Sequence, residues 1–379
     1  MNSGKYVRAT GKLLLLVLVG LSILFITYRQ PFNSKEQVIS SRPIEDPDGS
    51  VSKSTDNSVM FNENKNQNGS QIHTLVIGRM QSGSTATGSL LGKLEDSFYV
   101  YEPDHVILGS IYHRNVHIDS ADNLEAMQPY LCQFLGALYS CNFSSYDYFV
   151  RGFRCNGMLR KKGFLTDFLS DQVTEAELAS FCKSKTIITS KVVRFIDVKS
   201  CLPTLQRNNV KMVFLARDPR GLIISRLRHM GNRLASFADD SNVNYYPIEY
   251  VVKEHCHWLD SIYNLLRNGS KWLKDNSMLI RFEDLSLYPH VINSAIYDFV
   301  GLTPPPAKYV PRNESASSWF KTNDYARMKK FQEYCPEHVY DEFGWVRIKS
   351  EDDFEKAKTS SSWYREMPGN GVILKYTVP

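Results

Sequence analysis

Short apolar runs alternate with helical patterns along most of this chain. Runs rich in Val, Ile, Leu, Phe and Tyr at 74–78, 98–101, 186–193, 211–216 and 278–282 have the length and composition of strands. Between them, apolar residues recur at helical spacing over 84–94, 175–184, 198–207, 220–230, 248–267 and 290–300. Strands alternating with helices predict βαβ units, hence an α/β, P-loop-like three-layer fold with a mainly parallel sheet flanked by helices. In such sheets ligands bind beyond the carboxyl ends of the strands, where loops lead into helices. Residues 107–160 follow neither period clearly and read as a helical or loop insertion.

The N-terminal end departs from this pattern. Residues 13–28 are apolar and uncharged, with Lys5, Arg8 and Lys12 before them and Arg29 after. The run predicts one membrane-anchoring helix, short against the roughly 20 residues of a usual span and suited to the thinner membranes of the early secretory pathway. A cleaved signal peptide is the competing reading. The bulky Phe25, Ile26 and Tyr28 leave no small-x-small cleavage site, which favours a retained anchor. The preceding basic residues put 1–12 in the cytosol as a tail and the rest in the lumen. Residues 29–71 form a polar luminal stem, too poor in apolar side chains to offset the entropy of ordering. The ordered domain is expected over 72–347, followed by a 348–379 tail with no assigned role.

Composition adds compartment more than chemistry. Sequons begin at Asn68, Asn142, Asn268 and Asn313, in keeping with a secretory location. The seven cysteines form no CxxC pair, so no zinc spacing is present, and an oxidising lumen would pair some of them and leave an odd one. A formal charge of +5 without a clustered basic stripe argues against nucleic acid.

Candidate chemistry lies in two loops. Gly78-Arg79-Met80-Gln81-Ser82-Gly83-Ser84-Thr85 follows a strand-like run and enters a helix, with the Gly-x4-Gly-x-Thr spacing of a nucleotide-phosphate loop. Ser84 stands where that loop places its lysine. Backbone N–H groups at such a turn cradle an anion with or without the lysine, but the lysine is what reaches the outer phosphates of a triphosphate. A P-loop kinase is therefore disfavoured. The second stretch runs from Lys211 to Arg226 and contains Arg217-Asp218-Pro219-Arg220. An apolar strand ends at Arg217, Pro219 suits a first helical turn, and Ser225 follows two turns on. Arg217 and Ser225 could converge on one anion; alternatively Asp218 caps the helix and Arg217 makes a structural ion pair.

Together the two stretches resemble the sulfotransferase family, and within it the Golgi carbohydrate 6-O-sulfotransferases that act on galactose, N-acetylglucosamine or N-acetylgalactosamine. Tyr99-Val-Tyr-Glu102-Pro103, Lys191-Val-Val-Arg194, Leu279-Ile-Arg281-Phe-Glu283-Asp284-Leu285 and Cys335 with Phe343-Gly344-Trp345 carry the resemblance further, over about 72–347. It implies 3′-phosphoadenosine-5′-phosphosulfate (PAPS) as donor, with no metal. Arg79, Gln81, Ser82, Gly83, Ser84 and Thr85 would hold its 5′-phosphosulfate, and Arg217 and Ser225 its 3′-phosphate. It implies Glu102 as the base toward the acceptor hydroxyl, with His105 as second candidate, and a glycan on a glycoprotein or proteoglycan as acceptor. The 107–160 insertion would lie on the acceptor side. It also implies a single-pass type II protein of the Golgi membrane; acceptor sugar and oligomeric state stay open. One position departs from the family pattern: Gln81 stands where relatives carry Arg. A glycan- or PAPS-binding protein on a degenerate sulfotransferase fold is the alternative that this departure leaves.

Overall fold

The computed structural model describes residues 71–111, 121–155, 172–230, 248–304, 316–360, 363–365, 367 and 375. The predicted anchor at 13–28 and nearly all of the stem lie outside these residues. Among the described residues no helix is long and apolar enough to cross a membrane.

Five strands form one sheet: β1 (Ile72–Gly78), β2 (Ser97–Tyr101), β3 (Ile187–Val192), β4 (Lys211–Ala216) and β5 (Ser277–Arg281). Their order is β2-β3-β1-β4-β5 and every pairing is parallel, as the alternation of elements predicts. Four helices precede or lie within the first half: α1 (Ser84–Gly92), α2 (Pro103–Ile111), α3 (Ala121–Tyr139) and α4 (Asp147–Cys155). Then come α5 (Glu175–Lys183), α6 (Val198–Arg207), α7 (Pro219–Met230), α8 (Ile248–Asn268) and α9 (Lys271–Asp275). The last are α10 (Phe282–Leu287), α11 (Pro289–Val300), α12 (Tyr325–Glu333), α13 (Glu337–Glu342) and α14 (Glu351–Thr359).

Side chains alternate across the sheet with the strand period of two. Leu75 and Ile77 of β1 and Met212 and Phe214 of β4 face a large core with α3, α6 and α8. Val76, Val213, Leu215, Met278 and Ile280 face a second core with Leu91 of α1 and Ile292 and Ile296 of α11. Both faces are covered, which is why the strands read as continuous apolar runs rather than alternating ones. Helix starts follow local chemistry. Thr174 and Glu177 form a capping box at α5, and Ser350 and Asp353 form another at α14.

Where described, the insertion at 107–160 is the end of α2, then α3 and α4 joined by turns over 140–146. Among the described residues three disulfides link elements: Cys132–Cys201 between α3 and α6, Cys141–Cys182 toward α5, and Cys256–Cys335 from α8 to the segment after α12. The segment beyond Ile348, to which the sequence assigned no role, joins the core. Phe354 of α14 and Trp363 are buried, and Tyr364 pairs with Trp345 in an antiparallel bridge. Strand β5 stops at Arg281, one residue before its predicted end, because Phe282 opens α10.

Candidate functional site

All the predicted site residues follow the carboxyl ends of parallel strands or lie on the helices those loops enter. The loop after β1 turns sharply: Gln81 has φ 69° and Gly83 φ 91°. Glycine is required at 83, because a Cβ there would lie 2.6 Å from the Phe282 ring in addition to the backbone strain. Helix α1 then begins with no side-chain cap on Gly83. Its first N–H groups lie beyond reach of any helical carbonyl, and they are the donors to which the motif would assign an anion. Ser82 and Ser84 are buried and Thr85 is exposed at the helix start.

The second loop closes onto the first. Arg217 Nη1 donates to the Gln81 carbonyl, Ser225 Oγ donates to Gln81 Oε1 at 3.2 Å, and Arg226 Nε donates to the Met80 carbonyl at 3.1 Å. Arg217 and Ser225 thus converge, as the anion reading expects, and the group between them is Gln81. Arg217 also lies over the Phe282 ring, 4.0 Å from its centroid. It is only 7 % exposed, and its Nε finds no hydrogen-bond partner among the described residues. Burial pulls its guanidinium down to about 10, with Glu283 and Asp218 acting the other way.

Asp218 pairs with Arg220 and not with Arg217. Arg220 is fully buried; it forks onto both Asp218 oxygens and reaches Gln332 Oε1 at 2.7 Å and the Val346 carbonyl at 2.9 Å. Arg281 forks onto Asp284 and bonds the carbonyls of Phe343 and Arg365. The neighbouring Glu283 carboxyl accepts from Asp218 N–H at 3.0 Å and from Trp345 Nε1 at 3.2 Å. These bonds fasten the anion loop to the C-terminal segment.

His255 of α8 is a site neighbour that periodicity could not reveal, since it reads as one more core position. It is buried with Nε2 2.9 Å from the Arg217 carbonyl. Burial holds its imidazole down at about 3, and the charges of Arg226, Arg79 and Arg217 act in the same direction. The positive field of three guanidiniums thus adds to burial in keeping this ring neutral. Glu283 is the opposite case, pushed up to about 7 by burial and by Asp218. Unfolded, His255 would take up a proton below 6.5, so its contribution to stability is lost as pH falls from there toward 3. The Glu283 contribution is full below 4.5 and lost as pH rises through about 7. The two slopes oppose each other between 4.5 and 6.5. His255→Gln should remove the acid loss and leave unfolding temperatures that fall with rising pH across that window, measured by thermal unfolding.

A second charged group follows β2, two strand spacings or roughly 10 Å along the sheet edge from β1. Glu102, at φ 45°, pairs with Lys191, and Arg194 Nη1 lies 3.7 Å from its other oxygen. Burial pushes the Glu102 carboxyl up, but Lys191 and Arg194 outweigh it and hold the group below the ordinary carboxylate range. Asp104 is fully buried, is pushed up by that burial against the pull of Arg194, and braces the Val193 and Arg194 N–H groups at 3.1 and 2.9 Å. His105 stands one turn into α2, half-buried, with Nδ1 lacking a partner among the described residues. Lys191 and Arg194 belonged to a recognised stretch, but their contact with Glu102 arises only from strand pairing: Lys191 is the register partner of Tyr101 and of Val76.

The sequence showed no metal-ligand cluster. The fold brings Asp260, His338 and Glu342 together on α8 and α13, with ligand atoms within 4.8 Å of one another, at partly exposed positions.

A family profile described as the sulfotransferase domain matches residues 71–370. Among curated relatives, carbohydrate sulfotransferase 1 of Danio rerio is 22% identical over 353 residues, covering 79% of this chain and 83% of its own. Carbohydrate sulfotransferase 3 of Tetronarce californica is 26% identical over 285 residues, covering 65% and 62%. The solved sulfotransferase of Alicyclobacillus acidocaldarius aligns at TM-score 0.39 and 12% identity, over 78% of this chain and 99% of that one. With the matched region spanning both loops and the C-terminal segment that locks them, this chain belongs to the sulfotransferase family and is a sulfotransferase.

Proposed function

We propose that this enzyme uses PAPS to sulfate a sugar hydroxyl, the 6-hydroxyl, of a glycoprotein or glycosaminoglycan glycan. The observation that carries the donor reading is Arg217: a buried guanidinium with an unpartnered Nε, beside an uncapped helix N-terminus and near Arg79 and Arg226. That set offers positive charge and N–H donors to two anionic groups, with no triphosphate lysine. When bound, PAPS supplies an activated sulfuryl group, whose bond to the nucleotide phosphate breaks as one to the acceptor oxygen forms. The α1 N-terminus, Ser84, Thr85 and Arg79 offset the charge that develops on the departing phosphate. Glu102 takes the acceptor proton. Lys191 and Arg194 keep it ionised at neutral pH and aim it, while His105 is the alternative proton acceptor.

The acceptor cleft in this reading is a cavity of about 610 Å³ beside the loop after β3, lined by Glu125, Gln128, Asp197, Ser200, Glu254 and His257 among others. Gln128 Nε2 donates to the Arg194 carbonyl at 3.1 Å, which joins the cavity wall to the neighbours of Glu102. Polar side chains beside Ile196 and Trp258 suit the hydroxyls and the apolar face of a sugar, and the carbohydrate sulfotransferase relatives support the same acceptor class. The exposed sequon residues Asn142 and Asn268 and the disulfides support an oxidising lumen, and the 13–28 run supports a type II Golgi anchor.

Gln81 favours a second reading, a binding protein without turnover. Full-length chain purified in detergent, given labelled PAPS and a panel of unsulfated glycans, should label a sugar at O6. Nucleotide binding with no transfer to any glycan would select the second reading, and absence of nucleotide binding would exclude both.

A further inference from the structure

Gln81, where the resemblance implies an arginine, makes a contact that an arginine could not make. Gln81 Oε1 accepts from Ser225 Oγ at 3.2 Å, whereas an arginine side chain has no acceptor. The Gln81 carbonyl takes Arg217 Nη1, and the next carbonyl upstream, that of Met80, takes Arg226. The donors expected to receive a 3′-phosphate are therefore turned onto the 5′ loop. Gln81 holds φ 69°, which is costly for a residue with a side chain, and these bonds offset that cost. Arg217 meanwhile keeps Nε without a partner while buried, a donor set only partly used by the loop.

We infer that Gln81 is the resident occupant of the 3′-phosphate seat: its amide oxygen sits on Ser225 and its carbonyl on Arg217 until a nucleotide 3′-phosphate takes those donors. This rests on the PAPS reading above. Gln81 then acts as a positioning residue, not as a ligand of the 5′-phosphosulfate. An occupant that must leave lowers the apparent affinity of the arriving group by the fraction of time the seat is filled. The chain should consequently draw less affinity from a 3′-phosphate than its arginines would otherwise give, and the loss should trace to one side chain.

The test compares dissociation constants of adenosine 3′,5′-bisphosphate and adenosine 5′-monophosphate, measured by calorimetry on the full chain in detergent. The ratio isolates the 3′-phosphate. Gln81→Ala removes the amide, so the preference for the bisphosphate should rise about three- to tenfold, the scale of one hydrogen bond. Ser225→Ala should lower it, and adding Gln81→Ala to Ser225→Ala should then change little, because the contact is already gone. Gln81→Asn, one methylene shorter, serves if the alanine variant fails to fold by thermal unfolding. An unchanged or reduced preference in the Gln81 variants overturns the inference while leaving the donor reading intact. Wild-type chain that binds neither nucleotide overturns both.

Discussion

Glu102→Gln is expected to lower turnover about 10²–10⁴-fold, the range a positioned base contributes, while the affinity for adenosine 3′,5′-bisphosphate stays within about twofold. The reason lies in geometry and charge. Glu102 follows β2 at the carboxyl edge of the sheet that also carries the donor loop, and its carboxylate is the 18 % exposed member of a pair whose lysine is 1 % exposed. Because Lys191 and Arg194 hold it below the ordinary carboxylate range, the acid limb of kcat/KM should lie below 4.5 and be absent in the variant. The same substitution leaves the Lys191 ammonium buried without its counter-charge, so a loss of stability accompanies it. Stopped-substrate kinetics across pH, normalised to folded protein, separates the two effects. Turnover that falls only in proportion to folded protein would make Glu102 a structural anchor of Lys191.

Arg220→Ala should destabilise the domain by about 3–5 kcal/mol, the scale of leaving a buried charge uncompensated. Asp218 and Arg220 are both fully buried, and the guanidinium lies between the rings of Trp319 and Tyr340, each 5.1 Å from its centre. Its remaining donors hold Gln332 and the Val346 carbonyl, and Gln332 in turn clamps the backbone of Ile348 from both sides. One substitution therefore strips the Asp218 carboxylate of its counter-charge and takes a donor from the Gln332 amide oxygen and from the Val346 carbonyl. Against the 5–15 kcal/mol typical of a folded domain, about 3–5 kcal/mol is a large share. Denaturant unfolding with disulfides intact would measure it; a shift below about 1 kcal/mol would mean that Asp218 finds another partner. Arg220→Lys should recover only part of the loss, since an ammonium cannot fork onto both Asp218 oxygens.

Both expectations start from residues visible in the sequence and depend on contacts that were not. Periodicity was sufficient for the layers: every predicted strand exists, and so do the six helices predicted from 84 to 300, because fully covered parallel strands and amphipathic helices leave different apolar spacings. The 107–160 stretch resisted because its long helix α3 carries Pro129 internally and packs against both α2 and α6, which blurs a single apolar face. The segment after Ile348 gave no signal because its role is docking. Trp363 and Phe354 look like scattered aromatics until the core they fill is known.

The site divides in the same way. Glycine at 83, proline at 219 and arginine at the end of β4 are local requirements of a tight turn, a first helical turn and an anion, so they can be read one loop at a time. Glu102 was also legible, as a carboxylate closing a strand. Its partners were not: Lys191 lies 89 residues away and meets it only through the β2–β3 register. His255 was hidden for a similar reason, since a buried neutral imidazole under three arginines is defined entirely by what surrounds it. By itself the sequence determined a parallel α/β sheet, two phosphate-type loops at its carboxyl edge and the family they resemble. Only the tertiary structure decided what the loops do to each other, turning Arg217 and Ser225 onto Gln81 and fastening both to the C-terminal segment. The physical reason is range: propensity, turn chemistry and hydrophobic period act over a few residues, whereas buried hydrogen bonds and charges take their energy from neighbours that only the folded chain brings together.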